Sequence, residues 1–139
     1  MPNKRIHISD QNEHDRAETQ RLLQSHGFIV EAWPTGEESV AAARQTPPDL
    51  FITAMGLKGK VDGLGLVRLL KADEQFKDVP IILHSAVQRI MNLPFRFAPD
   101  PKWFPVFDVV EKPARPDYLL EVIERALKQK ENSTTDGHG

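Results

Sequence analysis

Five short apolar runs, each followed by a segment of helical character, leave this chain few folds to choose from. The runs are the apolar-containing Arg5 to Ile8, then Phe28 to Val30, Leu50 to Ile52, Val79 to Leu83 and Val106 to Val110. A strand with one wet face alternates apolar and polar residues, whereas a nearly unbroken apolar run is covered on both faces, as in a parallel sheet. The intervening segments supply the cover. Asn12 to His26 carries helix formers around Ala17, Leu22 and Leu23 and stops at Gly27, a residue suited to a helix C-terminus. Thr35 stands three residues before Glu38 in capping-box spacing, Val40 and Ala41 to Ala43 follow, and Pro47 and Pro48 end that helix. Gly63 leads into Leu64, Leu66, Val67, Leu69 and Leu70 at amphipathic spacing. Pro116 falls in the first turn of the last helix, where a missing N–H is harmless, and Leu119, Val122, Ile123, Ala126 and Leu127 line one face of it. Strand and helix in alternation predict a doubly wound α/β domain with a five-stranded parallel sheet.

Its 139 residues suit one domain, predicted over residues 1–130, and the closing ENSTTDGHG of residues 131–139 has nothing to bury and is expected to be a disordered tail. The chain has no cysteine, which excludes disulfides, thiolate metal sites and cysteine nucleophiles. No leader-like or membrane-length apolar run is present, so a soluble, cytoplasmic protein without a membrane partner is expected. Eighteen basic residues against 20 acidic ones do not offset a phosphate backbone, so nucleic acid is not an expected partner.

In such sheets ligands and chemistry sit beyond the carboxyl ends of the strands. Those ends read Ser9-Asp10, Thr53-Ala54, His84-Ser85 and Glu111-Lys112. The ISD after the first run, PDLFITA around the third, LHSA after the fourth and EKP after the fifth, in that order, resemble the landmarks of the response regulator receiver family. The resemblance spans roughly residues 4 to 129. Each motif alone is weak; four in sequence at the correct strand ends are specific.

The resemblance implies the flavodoxin-like receiver fold with strand order 2-1-3-4-5. It also implies that Asp10 is the surviving member of an acidic pair whose other member is replaced by Ser9, that Ser85 is the hydroxyl sensing a phosphoryl group, that Lys112 is the cation beside it, and that Lys112-Pro113 is cis. Counted from Pro48-Asp49, the phosphate-accepting aspartate falls at position 54, where this chain has alanine. A methyl group forms no acyl phosphate. Thr53 should point to the other side of the strand, and Asp49 lies at its far end. Mg²⁺ needs several hard oxygen ligands, so Asp10 alone should bind metal weakly or not at all, and no cofactor is expected. Lys112, lacking an acidic partner at position 54, is free to pair with Asp10 instead.

Simpler readings stand beside these. Asp10 also reads as a cap of the following helix, Ser85 as a turn residue, and Lys112 as a solvated lysine, although its coincidence with the other landmarks favours the receiver reading. His7 and His84 lie on buried runs and read as core histidines, or as a metal-binding pair.

From Ser85 to Lys112 the chain is several residues longer than is usual for receivers and carries Pro94, Pro99, Pro101 and Pro105 among aromatic residues. Proline breaks regular helices, so the helix here is predicted to be short, Val87 to Asn92, with an irregular aromatic insert after it. Phe95, Phe97, Trp103, Phe104 and Tyr118 are the candidate partner interface, since aromatic anchors carry much of the energy of protein interfaces. The alternative is that these aromatics and Phe107 fold inward over the sheet edge. The expected function is that of a stand-alone, non-enzymatic receiver-like protein in two-component or phosphorelay signalling. It would act without phosphorylation by binding another signalling protein, a histidine kinase or a downstream effector, with a homodimer also open. The competing readings are a regulator phosphorylated on an unusual acceptor (Asp10, Thr53 or Ser85) and a binder of a small anion or nucleotide.

Overall fold

The computed structural model describes residues 3–86 and 98–136, with side chains as far as Lys130. In chain order the elements are β1 (Arg5–Ser9), α1 (Glu13–Ser25), β2 (Ile29–Trp33), α2 (Gly36–Gln45), β3 (Leu50–Thr53), α3 (Gly63–Ala72), β4 (Ile81–Ser85), β5 (Asp108–Glu111) and α4 (Pro116–Asp136). All strand pairings are parallel and the sheet order is β2-β1-β3-β4-β5, the topology expected.

Strand alternation sorts the side chains between two cores. Ile6, Ile8, Ile52, Ile82 and Val110 pack with Leu23, Leu119 and Ile123 from α1 and α4. Phe51, Ile81 and Leu83 pack with Ala43, Leu66 and Val67 from α2 and α3. The helix starts are local: Asn12, Thr35 and Asp62 each accept a backbone N–H from the residue three further on. Gly27 follows α1 with φ 88°, a conformation that disfavours a Cβ. Gly63 has a different constraint. Its backbone N–H donates to the Met55 carbonyl, and a Cβ there would lie 2.3 Å from the Ala54 oxygen, so α3 begins pressed against the chain leaving β3.

Several details depart from the sequence reading, among them β2 at Ile29–Trp33 rather than Phe28 to Val30 and β4 at Ile81–Ser85 rather than Val79 to Leu83. β5 starts at Asp108 rather than Val106, because the Val106 N–H is used in a turn with the Phe104 carbonyl and its side chain joins the second core. α4 runs on to Asp136 instead of fraying at Lys130; once a helix is nucleated, each further residue adds a hydrogen bond at no new nucleation cost. Phe104, expected in an exposed interface, is fully buried in the second core. The short helix at Val87 to Asn92, and Phe95 and Phe97, lie outside the described residues.

Candidate functional site

The parallel ladder delivers four chain segments to one edge of the sheet, and backbone bonds carry the pairing just past the strands. Asp10 N–H donates to the Trp33 carbonyl, Ala54 N–H to Ser9, and Lys112 N–H to Ser85. Asp10, Ala54, Ser85 and Lys112 thereby surround a cavity of about 350 Å³. Ser9, grouped with them on sequence, is not among the lining residues: it precedes Asp10 by one position, and strand alternation turns it to the other side. Thr53 and Asp49 are also elsewhere. The Thr53 hydroxyl, buried, donates to the Ala54 carbonyl, and Asp49 at the start of β3 accepts the Arg5 N–H.

The centre of the site is Lys112. Its Nζ lies 2.6 Å from Asp10 Oδ2 and 2.9 Å from Asp15 Oδ2, and its side chain is only 13% exposed. Asp10 Oδ1 accepts the Asn12 N–H, so this carboxylate both orders the start of α1 and holds the lysine. The cap of α1 is Asn12 and not Asp10, which braces the turn before the helix while serving the pocket. Asp15 escaped the sequence reading. Its signal was there, an acid in the first turn of α1, but that position ordinarily reports only a favourable helix dipole. The Ser85 Oγ accepts the Met55 N–H at 3.1 Å, tying β4 to the segment that leaves β3. The Lys112–Pro113 bond is cis.

The cavity does not fit a divalent cation as it stands. Both Asp10 oxygens and one oxygen of Asp15 already accept protein donors, and the ammonium occupies the place between the two carboxylates. Among the described residues, no group of three or more His, Asp or Glu side chains could hold a metal.

The two histidines do not form a pair. His84 lines the cavity, where burial first, and then the nearby Lys112 charge, push its pKa down to about 4 against the opposing pull of Asp15. His7 aligns with Phe51 and Ile81 on the opposite face, two strands away, edge-on to Trp33 at 5.0 Å. Burial lowers its pKa to about 4 as well, Glu31 pulling the other way and Arg5 adding to the depression. Neither nitrogen of the His7 ring has a hydrogen-bond partner. A histidine held neutral in the fold but free to protonate when unfolded stabilises fully above pH 6.5, and that contribution is lost as pH falls from 6.5 to about 4. For His7 alone the loss is on the order of 3 kcal/mol across the window. Denaturant titrations at intervals across that window should show this slope. In His7→Leu the slope should fall by roughly half, His84 with its similarly lowered pKa supplying the rest, and stability at pH 7 should rise by about 1 kcal/mol because two orphaned polar atoms leave the core. An unchanged slope would remove His7 as its source.

Of the aromatic residues singled out on sequence, the described ones differ in burial. Trp103 and Tyr118 are 43% and 42% exposed. Trp103 is presented on a braced turn: Asp100 and Phe104 exchange two backbone hydrogen bonds of 2.9 Å, Asp100 Oδ1 accepts the N–H of Lys102 and of Trp103, and the indole stacks on Phe104 at 5.6 Å. Phe107 is partly buried against the first core, the inward reading.

Comparison with known proteins gives a consistent result. A family described as response regulator receiver domain matches residues 6–124. The DNA-binding dual master transcriptional regulator RpaA of Synechocystis is 30% identical over 113 residues; the match takes in 80% of this chain and 46% of that regulator, so this chain answers to less than half of it. Among solved structures, a sensor protein from Polaromonas superposes with TM-score 0.78 at 22% identity, covering 93% of this chain and 99% of that one. The chemotaxis response regulator CheY4 of Vibrio cholerae superposes with TM-score 0.74 at 21% identity, over 89% of this chain and 98% of that one. At these identities the structural likeness establishes the fold. The chain also has no helix, among the described residues, long and apolar enough to cross a membrane.

Proposed function

Because the chain belongs to the response regulator receiver family, a module of two-component signalling, we propose that it signals without an acyl phosphate at position 54. In this reading it acts by binding a protein partner, a histidine kinase or a downstream effector, in the cytoplasm, and has no catalytic activity of its own. The observation that carries this is the Lys112 ammonium shared between Asp10 and Asp15 beside an alanine methyl. A receiver active in phosphotransfer uses clustered carboxylates to hold a divalent cation and then the phosphoryl group. Here the protein's own cation takes the carboxylates, and the side chain at the end of β3 has no nucleophile.

Held this way the pocket has one arrangement rather than two. Lys112 is engaged with both acids, so the cation that would meet a phosphoryl oxygen is already paired, while the Ser85 Oγ accepts the Met55 N–H. Signal output then depends on whether a partner is present and not on a covalent mark. Trp103 and Tyr118 support a protein surface as the output, being large aromatics left half exposed.

Incubation with a small-molecule phosphodonor and Mg²⁺, followed by intact mass measurement, tests the proposal on the wild type and on Ala54→Asp. The wild type should show no gain in mass. A stoichiometric gain of one phosphate by the wild type would overturn the reading and point to Asp10 or Ser85, both on the cavity wall. Calorimetric titration of the wild type with Mg²⁺ should likewise give no saturable heat.

A further inference from the structure

Away from the strand ends, α2 and α3 diverge to leave an apolar groove of about 360 Å³ whose walls include Val40, Ala41, Leu69 and Phe76. Leu69 is 53% exposed, the most exposed of the large hydrophobic side chains described. Glu37 and Arg44 stand at opposite ends of the same groove. On α2 the residues Glu37, Ala41 and Arg44 follow i, i+4, i+7 spacing and so form one stripe, while Gly36, Ser39 and Ala43 on the other side of the helix are buried. The stripe thus reads acid, small apolar, base over about 10 Å.

Such a stripe is complementary to itself when reversed. Turned through a two-fold axis between Val40 and Ala41, α2 meets an antiparallel copy in which Glu37 faces the partner's Arg44 and Arg44 faces the partner's Glu37. We propose that the groove between α2 and α3 is a homodimer interface, in which each copy's α2 lies in the other's groove and covers its Leu69. The apolar floor supplies the burial, and Ala41 at the centre lets the two helices approach closely. The end charges set the antiparallel direction, as in an isologous two-fold contact. Arg44 is already ordered at the rim by a 3.0 Å ion pair with Asp73, and Glu37 by the Lys60 N–H, so little side-chain freedom is lost on association. This interface is independent of the pocket at the strand ends and of whether that pocket accepts phosphate.

Sedimentation equilibrium of the full chain, from micromolar to near-millimolar concentration, tests it. The wild type should show reversible dimerisation, and Leu69→Glu should raise the dissociation constant by at least about tenfold. Glu37→Arg and Arg44→Glu should each weaken self-association by about tenfold, because like charges then face each other. An equimolar mixture of those two single variants should associate again, since each supplies the charge the other has lost, and a chain carrying both changes should recover dimerisation. That recovery also shows that the variants fold. A wild type monomeric at every concentration would overturn the proposal, as would a dimer indifferent to Leu69→Glu or a mixture that fails to re-associate. Either result would leave the groove to a segment of another protein.

Discussion

Lys112→Met should lower the folding stability by about 4 kcal/mol, seen as a large drop in the urea midpoint with an unchanged slope. Asp10 is 6% exposed and Lys112 is its counter-ion, with Asp15 sharing the same ammonium. Removing the cation leaves two carboxylates facing one another across a partly buried cavity, and an uncompensated buried charge is the most damaging outcome of breaking an ion pair. The diagnostic comparison is Asp10→Asn combined with Lys112→Met. The amide keeps an oxygen for the Asn12 N–H, and the Asp15 carboxylate, more exposed than Asp10, no longer faces a second charge, so the double variant should be more stable than Lys112→Met alone. Additive losses would mean that the two side chains are not coupled.

Phe104→Ala should be comparably damaging, at about 4 kcal/mol, because a fully buried ring in the second core leaves a cavity that its neighbours cannot fill. Trp103→Ala next to it should change stability by no more than about 1 kcal/mol, since the indole stacks on Phe104 but remains half exposed. Thermal unfolding of the two variants side by side reads the contrast directly. If Trp103→Ala proved the more destabilising, the turn at Asp100 to Phe104 would be an inward plug and not the presentation of an aromatic anchor.

The elements of the fold could be read from the sequence because their signals are local. Thr35 with Glu38, Pro47-Pro48, Gly27 and Pro116 mark helix ends through nearest-neighbour geometry, and the unbroken Leu50–Ile52 run reveals a strand covered on both sides. Asp10, Ser85, Ala54 and Lys112 could be placed together once the sheet was assumed parallel, because every strand then ends at the same edge. Three features were not legible. Asp15 joins the lysine only through the angle at which α1 leaves β1, which no sequence window contains. Ser9 joins Asp10 only through the resemblance to an acidic pair, and it is buried away from the cavity wall. Among Trp103, Phe104 and Phe107, composition alone could not say which ring turns inward. The backbone pairing of Asp100 with Phe104 decides it.

The contact between Lys112 and Asp10 joins residues 102 positions apart. On a ribosome, where chains emerge at roughly 5–20 residues per second, the aspartate is exposed to solvent for several seconds before its lysine exists. The strand that leads into it, β1, waits with one neighbour supplied early by β2 and the other only when β3 arrives. A nascent chain halted before residue 112 would hold Asp10 and Asp15 without the ammonium that later joins them, so the two acids repel each other until β5 is made.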